Sequence, residues 1–435
     1  MKAAGISLIE NHTQRAKVLT LFTFGVLFFM WGLITVLNSV LSKHLVYIFG
    51  VDYSLSTLMD LTFFGSYLIV SVPAGKLIDR IGFKNTILIG WVAVTAGCFV
   101  FTAAVLSRSY YLFLFALFIL AGGITILQVA ANLYIVLNGK SSNSASRLTF
   151  VQALNSLGTV VAPMLAGILL SKMVDVPSNI LAKLDSKELV EMTAGFVYLP
   201  YLFLGILMTI FAFVLKNAKI SDLSTKGVEP LNKITSLRKR HVLHFPQLRL
   251  GAFAIFAYVG SEVALASYLG IFGSDFNRNL YWILAMVGRF AGALIMTKVS
   301  PHKAVGFCAG MAAFLVLVSI VTFGGLSIWA ITLVGLFNSI LFPAIFALGV
   351  NGLGKFSEEG SSVLIMFIVG GAVIPFMVKN FSYVNYHVAF IIPIICYFYI
   401  TLYGLKLSKY EKESTVIEKE GGKDKRGVLS STQAV

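Results

Sequence analysis

The stretch STLMDLTFFGSYLIVSVPAGKLIDRIGFKN, residues Ser56–Asn85, joins a long apolar run to a short charged segment. A helix needs roughly 20 apolar residues to cross a hydrocarbon core of about 30 Å. The run from Thr57 to Asp79 has that length, and the carboxylate of Asp60 lies just inside it. The stretch therefore predicts a transmembrane helix that ends in the polar loop Gly75–Asn85.

Similar apolar runs recur along the whole chain of 435 residues, of which 57% are hydrophobic and only 12% are charged. That composition excludes a soluble globular domain and predicts an all-α integral membrane protein with about twelve transmembrane helices. The predicted spans are Val18–Leu41, Thr57–Asp79, Thr86–Ser107, Tyr111–Leu137, Leu148–Ser171, Thr193–Leu215, Leu250–Phe272, Leu280–Thr297, Lys303–Phe323, Ser327–Val350, Ser361–Val378 and Tyr383–Leu405.

The basic residues predict the orientation of the chain in the bilayer. Most of the 34 lysines and arginines fall on one side if the N-terminus is cytoplasmic, which is the bias expected of cytoplasmic loops. Both termini are therefore expected in the cytoplasm. The net charge of +15 is spread over loops that flank apolar spans, where it meets anionic lipid headgroups, so no nucleic-acid partner is expected.

The charge pattern also divides the chain into parts. We predict a six-helix half over residues 1–216, a basic cytoplasmic linker over 217–247, a second six-helix half over 248–409 and a disordered cytoplasmic tail over 410–435. The segment Gly292–Lys303 reads as a decayed copy of Gly75–Asn85. Two similar halves are typical of transporters that bind a small molecule between the halves and expose it to each side in turn.

Enzymatic and metal-dependent functions have little support in the sequence. The three cysteines, Cys98, Cys308 and Cys396, lie inside predicted spans, so neither a disulfide nor a thiolate metal site is expected. The six histidines form no recognisable ligand set, and His241 and His244 lie in the basic linker. We therefore expect that the protein is not an enzyme and that it binds neither a metal nor a cofactor.

The loop GKLIDRIGFKN resembles the cytoplasmic loop motif of the major facilitator superfamily, and helix-end anchoring is the alternative reading of its charges. The motif positions are Gly75, Asp79, Arg80, Gly82 and Lys84. The stretches GGITILQVAANLYIVLNG, from Gly122, and SRLTFVQALNSLGTVVAP, from Ser146, resemble the fucose/galactose/glucose symporter family, and Gln128 favours its bacterial glucose/galactose branch. The resemblance implies the major facilitator fold and a multi-pass sugar transporter of the inner membrane. We expect the protein to function as a monomer.

Amides inside the spans are the candidate sugar contacts. Gln128 and Asn132 are four residues apart, and Gln152 and Asn155 are three apart, so each pair shares one helical face. Sugar hydroxyls need paired donors and acceptors, although such amides also bond neighbouring helices. Further candidates are Trp31 as a stacking surface, and Asn38 and Asn338 as polar contacts.

Three charged residues inside the spans are candidates for coupling transport to an ion: Asp60, Glu262 and Arg289. The resemblance implies an acid in the first span, but Ser39 occupies that position and does not titrate near neutral pH. Asp60 is a candidate for a relocated acid, or a solvated residue at the start of its helix. Glu262 is a second candidate acid and the expected partner of Arg289, since an unpaired charge in the bilayer is costly.

The coupling ion is either a proton or sodium, because a carboxylate with oxygen neighbours serves both. Secondary active transport of glucose or galactose is the favoured function. The absence of the usual acid leaves an uncoupled sugar facilitator as one alternative. A nutrient sensor that retains the transporter fold without transport is the other.

Overall fold

The computed structural model describes residues 20–37, 53–169, 186–218, 223, 241–382 and 386–406. Asn38 and Ser39, most of the predicted linker 217–247 and the whole tail 410–435 lie outside these ranges, so the predictions made for them remain predictions. The described chain contains six helical regions before the linker and six after it, which we number α1–α12.

The first half comprises six helical regions. α1 is Thr20–Leu37. The segment Tyr53–Ser107 consists of two helices that meet at a kink at Gly82: α2, residues 53–81, and α3, residues 83–107. The half is completed by α4 at Tyr110–Leu137, α5 at Ser144–Leu169 and α6 at Ser186–Asn217.

The second half also comprises six, two of which are interrupted. α7 is Pro246–Phe272, α8 is Asp275–Ile295 and α9 is Pro301–Val321. α10 consists of Gly325–Asn338 and Leu341–Val350, and α11 consists of Ser357–Met366 and Gly370–Ser382 joined by a turn of 3-10 helix. A short helix, Tyr386–Ala389, precedes α12 at Ile391–Lys406.

These helices have the length and composition of membrane spans. Nine of the described helices, counting Tyr53–Ser107 once, are long and apolar enough to cross a bilayer. α8 has the required length but is made more polar by Arg278 and Arg289, and the described part of α12 is shorter. Each of the twelve predicted spans contains a helix in the part of the chain that the structure describes.

The segment Gly75–Asn85 is helical where the sequence predicted a loop. Only Gly82, with φ of 79° and ψ of 172°, departs from helical geometry. Glycine adopts positive φ without the steric cost that other residues have, so one residue suffices for the bend. The Thr86 hydroxyl then donates to the Gly82 carbonyl over 2.7 Å at the start of α3.

The two halves meet along α2 with α11 and along α5 with α8 and α10. Gly75 allows α2 to approach α11 closely, because a Cβ there would lie 2.0 Å from the Ser362 hydroxyl oxygen. Near the same end of the molecule, the Ser146 hydroxyl on α5 donates to the Ala293 carbonyl on α8 over 2.6 Å. We call this end, which carries the connections α2–α3, α4–α5, α8–α9 and α10–α11, the motif end.

Further contacts join the halves toward the motif end. The Ser141 hydroxyl, before α5, donates to Asn351 Oδ1, after α10, over 3.1 Å. The Ser361 hydroxyl on α11 donates to the Val129 carbonyl on α4 over 2.8 Å. The halves are therefore hydrogen-bonded there through α4, α5 and the connection between these two helices.

Candidate functional site

Polar and apolar side chains are distributed in the opposite sense to a soluble protein. Large apolar side chains such as Phe22, Met164 and Leu294 are exposed by 67%, 69% and 74%. The amides of Gln128, Asn132 and other residues are buried. Such an exterior suits lipid, and buried amides in such a protein need partners inside the helix bundle or in a bound molecule.

The amides of the first half converge from α4 and α5. Gln128 Nε2 donates to the Tyr67 hydroxyl on α2 over 2.9 Å, and Gln152 Nε2 donates to Asn132 Oδ1 over 3.1 Å. Gln152 and Asn132 thus bond each other between α5 and α4, whereas Gln128 bonds Tyr67 on α2, a residue that sequence reasoning did not select. Asn132 Nδ2 is buried without a hydrogen-bond partner. This group has hydrogen-bonding capacity left for a ligand.

Asn155 has a different environment. Its Nδ2 donates to the Phe28 carbonyl on α1 over 2.9 Å. α1 and α5 are nearly in backbone contact here, because a Cβ on Gly32 would lie 2.1 Å from the Asn155 carbonyl oxygen. This arrangement favours the helix-packing reading of Asn155 over the sugar-binding one.

Trp31 lies on α1, is 6% exposed and packs against Phe28 with ring centroids 5.1 Å apart. Its ring therefore belongs to the interior of the first half, one turn of α1 from the carbonyl that binds Asn155. Stacking on a sugar remains a prediction for this residue.

A second polar cluster lies in the C-terminal half. The Tyr258 hydroxyl donates to Glu262 Oε1 over 2.7 Å, both on α7. Asn338 Nδ2 on α10 donates to the Tyr281 hydroxyl on α8 over 2.9 Å. Tyr397 on α12 lies near both Glu262 and Asn338, and its hydroxyl is buried without a hydrogen-bond partner among the described residues. We call these five residues the tyrosine cluster.

Sequence reasoning found Glu262 and Asn338 but missed the three tyrosines. In spans rich in phenylalanine, a tyrosine reads as one more apolar aromatic ring. The spacing of four between Tyr258 and Glu262 was the available signal, because it places both on one helical face. Glu262 retains partial exposure near the middle of α7, whereas the tyrosines are at most 1% exposed.

Arg289 links the two halves. Its Nη1 donates to the Ser156 hydroxyl on α5, and its Nε donates to the Ser339 carbonyl on α10 over 3.0 Å. That carbonyl is available because residue 343 is proline, which has no N–H to donate to the carbonyl four residues earlier. The interruption of α10 thus creates an acceptor for a guanidinium.

The expected direct ion pair between Arg289 and Glu262 is not formed in the described chain. Arg289 is close enough to Glu262 to interact electrostatically, but it uses its hydrogen bonds on Ser156 and Ser339. Serine hydroxyls and helix-break carbonyls supply acceptors that a search for opposite charges overlooks.

Asp60 lies apart from these groups. Its side chain is exposed, and its electrostatic neighbour is Lys379 toward the end of α11 that is distant from the motif end. Asp60 precedes Tyr67 by seven residues on α2, which is two helical turns or about 10 Å along the axis. The aromatic rings of Phe63 and Phe64 pack between these turns. Asp60 therefore lies where α2 faces α11, toward the end of the molecule opposite the motif end.

The motif residues lie together at the motif end. Gly75 is buried against Ser362 and Glu358 at the start of α11, and Gly82 forms the bend. Asp79 and Arg80 are exposed, and Lys84 is half-buried. Among the described residues, no cluster of three or more histidine, cysteine, aspartate or glutamate side chains could hold a metal ion.

Two six-helix halves, a lipid-compatible exterior and buried amides inside the helix bundle are the features of a membrane transporter. Comparison with known protein families agrees, because the sequence model of the Major Facilitator Superfamily matches residues 20–377. The chain belongs to the major facilitator superfamily. It is a multi-pass membrane transporter and not an enzyme.

Individual members of the superfamily are similar to this chain over most of its length. The chain is 40% identical to a glucose/galactose transporter of Brucella abortus over 414 residues, covering 92% of this chain and 97% of that protein. It is 28% identical to the L-fucose-proton symporter of Escherichia coli, covering 87% and 90%. The solved structure of FucP, a transporter of this superfamily in the outward conformation, superposes with a TM-score of 0.80 at 26% identity, covering 89% and 98%.

Proposed function

We propose that this protein is a secondary transporter that moves a monosaccharide, glucose or galactose, across the bacterial inner membrane by alternating access with a proton. The observation that carries the proposal is the group of amides on α4 and α5, in which Asn132 Nδ2 is buried and unpartnered. The relatives named for glucose/galactose and fucose–proton transport support the substrate class and the coupling ion.

In this proposal, Gln128, Asn132 and Gln152 bind sugar hydroxyls. They offer both N–H donors and carbonyl acceptors, and a hydroxyl group of a sugar takes part in both kinds of bond. Trp31 and Asn338 are secondary contacts. Asn155 positions α5 against α1, because its amide already donates to Phe28.

The orientation follows from the basic residues. Lys76, Arg80, Lys84, Lys140 and Arg147 lie at the motif end, which we place in the cytoplasm with both termini. The hydrogen bonds between the halves then join their cytoplasmic ends. A site closed to the cytoplasm agrees with the resemblance to FucP in its outward conformation.

Glu262 is a better candidate than Asp60 for the coupling acid. Its carboxylate is half-buried near the middle of α7, with a tyrosine donor and a nearby arginine. A carboxylate there changes its proton affinity when the surroundings change between dry and wet. Asp60 is exposed near Lys379, which supports the solvated helix-start reading.

Exchange of labelled sugar in liposomes tests the transport proposal without a gradient. Purified protein should exchange labelled glucose or galactose for unlabelled sugar inside the vesicles, and Gln152→Ala should reduce exchange at least about tenfold, the effect of losing about 1.4 kcal/mol of binding. Thr149→Val, which removes a hydroxyl bonded only within α5, is the matched control.

Binding without exchange would favour the nutrient sensor. Exchange that no ion gradient converts into accumulation would favour the facilitator. Exchange of fucose in preference to both other sugars would contradict the proposed substrate.

A further inference from the structure

Contacts in the described chain connect the C-terminal acid to the amides of the first half. Arg289 lies in electrostatic range of Glu262 and donates to the Ser156 hydroxyl across the boundary between the halves. The Ser156 hydroxyl in turn donates to the backbone carbonyl of Gln152, one turn earlier on α5, over 3.1 Å. Gln152 holds Asn132 through its side chain. The path therefore leads from a carboxylate to the proposed sugar site.

Ser156 is suited to a role between the two sites because the residue is buried and its hydroxyl both donates and accepts a hydrogen bond. Two other serine hydrogen bonds between the halves have uncharged partners. Ser146 and Ser361 donate to the backbone carbonyls of Ala293 and Val129, so these bonds involve no charged side chain. A change in the charge near Arg289 will therefore act on the Ser156 bond more strongly than on these neutral bonds.

Arg289 has two competing attractions. An ionised Glu262 attracts the guanidinium toward α7, whereas Ser156 and Ser339 hold it toward α5 and α10. The titratable or charged groups that face Glu262 are Tyr258 on α7, Tyr281 and Arg289 on α8, and Tyr397 on α12. Asn338 on α10 is the neutral polar group of the same cluster.

We propose that Ser156 is a positioning residue that, through Arg289, couples proton binding at Glu262 to sugar binding at Gln152 and Asn132. The inference rests on the proposed sugar transport. Glu262 takes one proton from the open side and releases it to the other side. The neutral carboxyl no longer competes for Arg289, so the Arg289–Ser156 bond strengthens and holds α5, with its amides, against α8.

This linkage predicts that proton and sugar binding favour each other, because a coupling between two sites acts equally in both directions. The probe is galactose, with its affinity for purified full-length protein measured by isothermal titration calorimetry at about pH 5.5 and about pH 8, on either side of neutrality. The wild type should bind about tenfold more tightly at the lower pH, a typical coupling of 1.4 kcal/mol.

Ser156→Ala should retain galactose exchange within about threefold of wild type but show less than about a twofold change of affinity with pH. Ser146→Ala is the matched control, because it removes another serine bond between α5 and α8 without touching a charge. It should retain the full pH dependence. Arg289→Lys, which keeps the charge but cannot donate along both directions, should behave like Ser156→Ala and provides a second variant if the first is not recovered.

Three results would overturn the inference: wild-type affinity independent of pH, an unchanged pH dependence in Ser156→Ala and Arg289→Lys, or an equal loss in Ser146→Ala. Failure of the proposed function has a different signature, since the wild type would then neither bind nor exchange galactose. A wild type that exchanges sugar while Ser156→Ala keeps its pH response leaves the transporter proposal intact and contradicts only the role of Ser156.

Discussion

At the scale of single residues, the amides on α4 and α5 are distinguished by what remains unpaired. Gln128 is bonded to Tyr67, and Gln152 is bonded to Asn132, but Asn132 Nδ2 has no partner. A buried donor without a partner costs about 1–3 kcal/mol, a cost that a sugar hydroxyl can offset. The amide network is therefore organised around one donor that a ligand can satisfy.

Gln128→Leu is expected to lower kcat/KM for sugar about 10- to 100-fold, since it removes a hydrogen-bonding side chain worth about 1.4–3 kcal/mol to the bound sugar. Tyr67→Phe keeps Gln128 and removes only its partner on α2, so a smaller loss of about threefold to tenfold is expected. Initial rates of labelled-sugar uptake measure both. Equal and small effects of the two substitutions would show that Gln128 serves packing only.

Sequence reasoning selects candidate residues most readily where the residue type itself is unusual in a membrane. Amides and charges stand out among apolar neighbours, so Gln128, Gln152, Glu262 and Arg289 were found. Ser156 and the cluster tyrosines were missed because hydroxyls are common in transmembrane helices, where most bond within their own helix, as Thr149 does with Ala145. Only the three-dimensional arrangement shows that the Ser156 hydroxyl reaches the other half of the molecule.

At the scale of helices, the interruption of α10 places a backbone acceptor inside the bundle. Pro343 cannot donate to the Ser339 carbonyl, and Arg289 Nε does so instead. Pro343→Ala restores an N–H that competes for this carbonyl. We expect the substitution to reduce proton-driven sugar accumulation about threefold to tenfold, a weakening of about 0.7–1.4 kcal/mol.

Pro163→Ala is the matched control for the proline substitution, because Pro163 is exposed on α5. Accumulation in proteoliposomes should stay within about twofold of wild type in this variant. Wild-type accumulation in Pro343→Ala would mean that Arg289 does not depend on the freed carbonyl.

The bend between α2 and α3 depends on the backbone of Gly82, whose φ is 79°. Gly82→Ala forces a Cβ into this conformation at a cost of about 1–2 kcal/mol, so the apparent melting temperature of the purified protein should fall by several degrees. Gly65→Ala on the same helix meets no atom within 4 Å and should leave the melting temperature unchanged or raise it slightly. Equal melting temperatures for the two variants would contradict a strained bend.

The same bend shows why the sequence predicted helix existence better than helix ends. Charged residues such as Asp79 and Arg80 predicted a loop, yet they remain helical because their side chains are exposed at the end of the bundle. A single glycine in non-helical geometry is enough to separate the two helices, so the loop shrinks to one residue. Hydropathy indicates which residues lie in lipid, but it does not indicate where the helical backbone begins and ends.

At the scale of the whole molecule, the twelve helices follow from the long apolar runs, which have few alternatives to membrane helices, and the division into halves follows from the basic linker and the repeated segment. Which parts of the halves touch does not follow, since a transporter uses the same sequence for more than one arrangement. The close contact of Gly75 with α11 and the serine bonds toward the motif end are properties of one such arrangement.

A cross-link at the motif end tests whether these contacts open during transport. The Ser141 hydroxyl and Asn351 Oδ1 are 3.1 Å apart, so cysteines at both positions, in a chain with Cys98, Cys308 and Cys396 replaced, should form a disulfide under mild oxidation. Uptake should fall at least about tenfold and return with a reductant, because alternating access requires the closed end to open. Unchanged uptake in a fully cross-linked sample would contradict movement there.

The measurement that most directly tests the account is accumulation of labelled galactose by purified protein in liposomes under an inward proton gradient, for wild type, Glu262→Gln and Asp60→Asn. We expect accumulation in wild type, loss of accumulation with retained exchange in Glu262→Gln, and near-normal accumulation in Asp60→Asn. One pH unit supplies about 1.4 kcal/mol per proton, enough for about tenfold accumulation. Accumulation that survives in Glu262→Gln and disappears in Asp60→Asn would contradict the account and place coupling on α2.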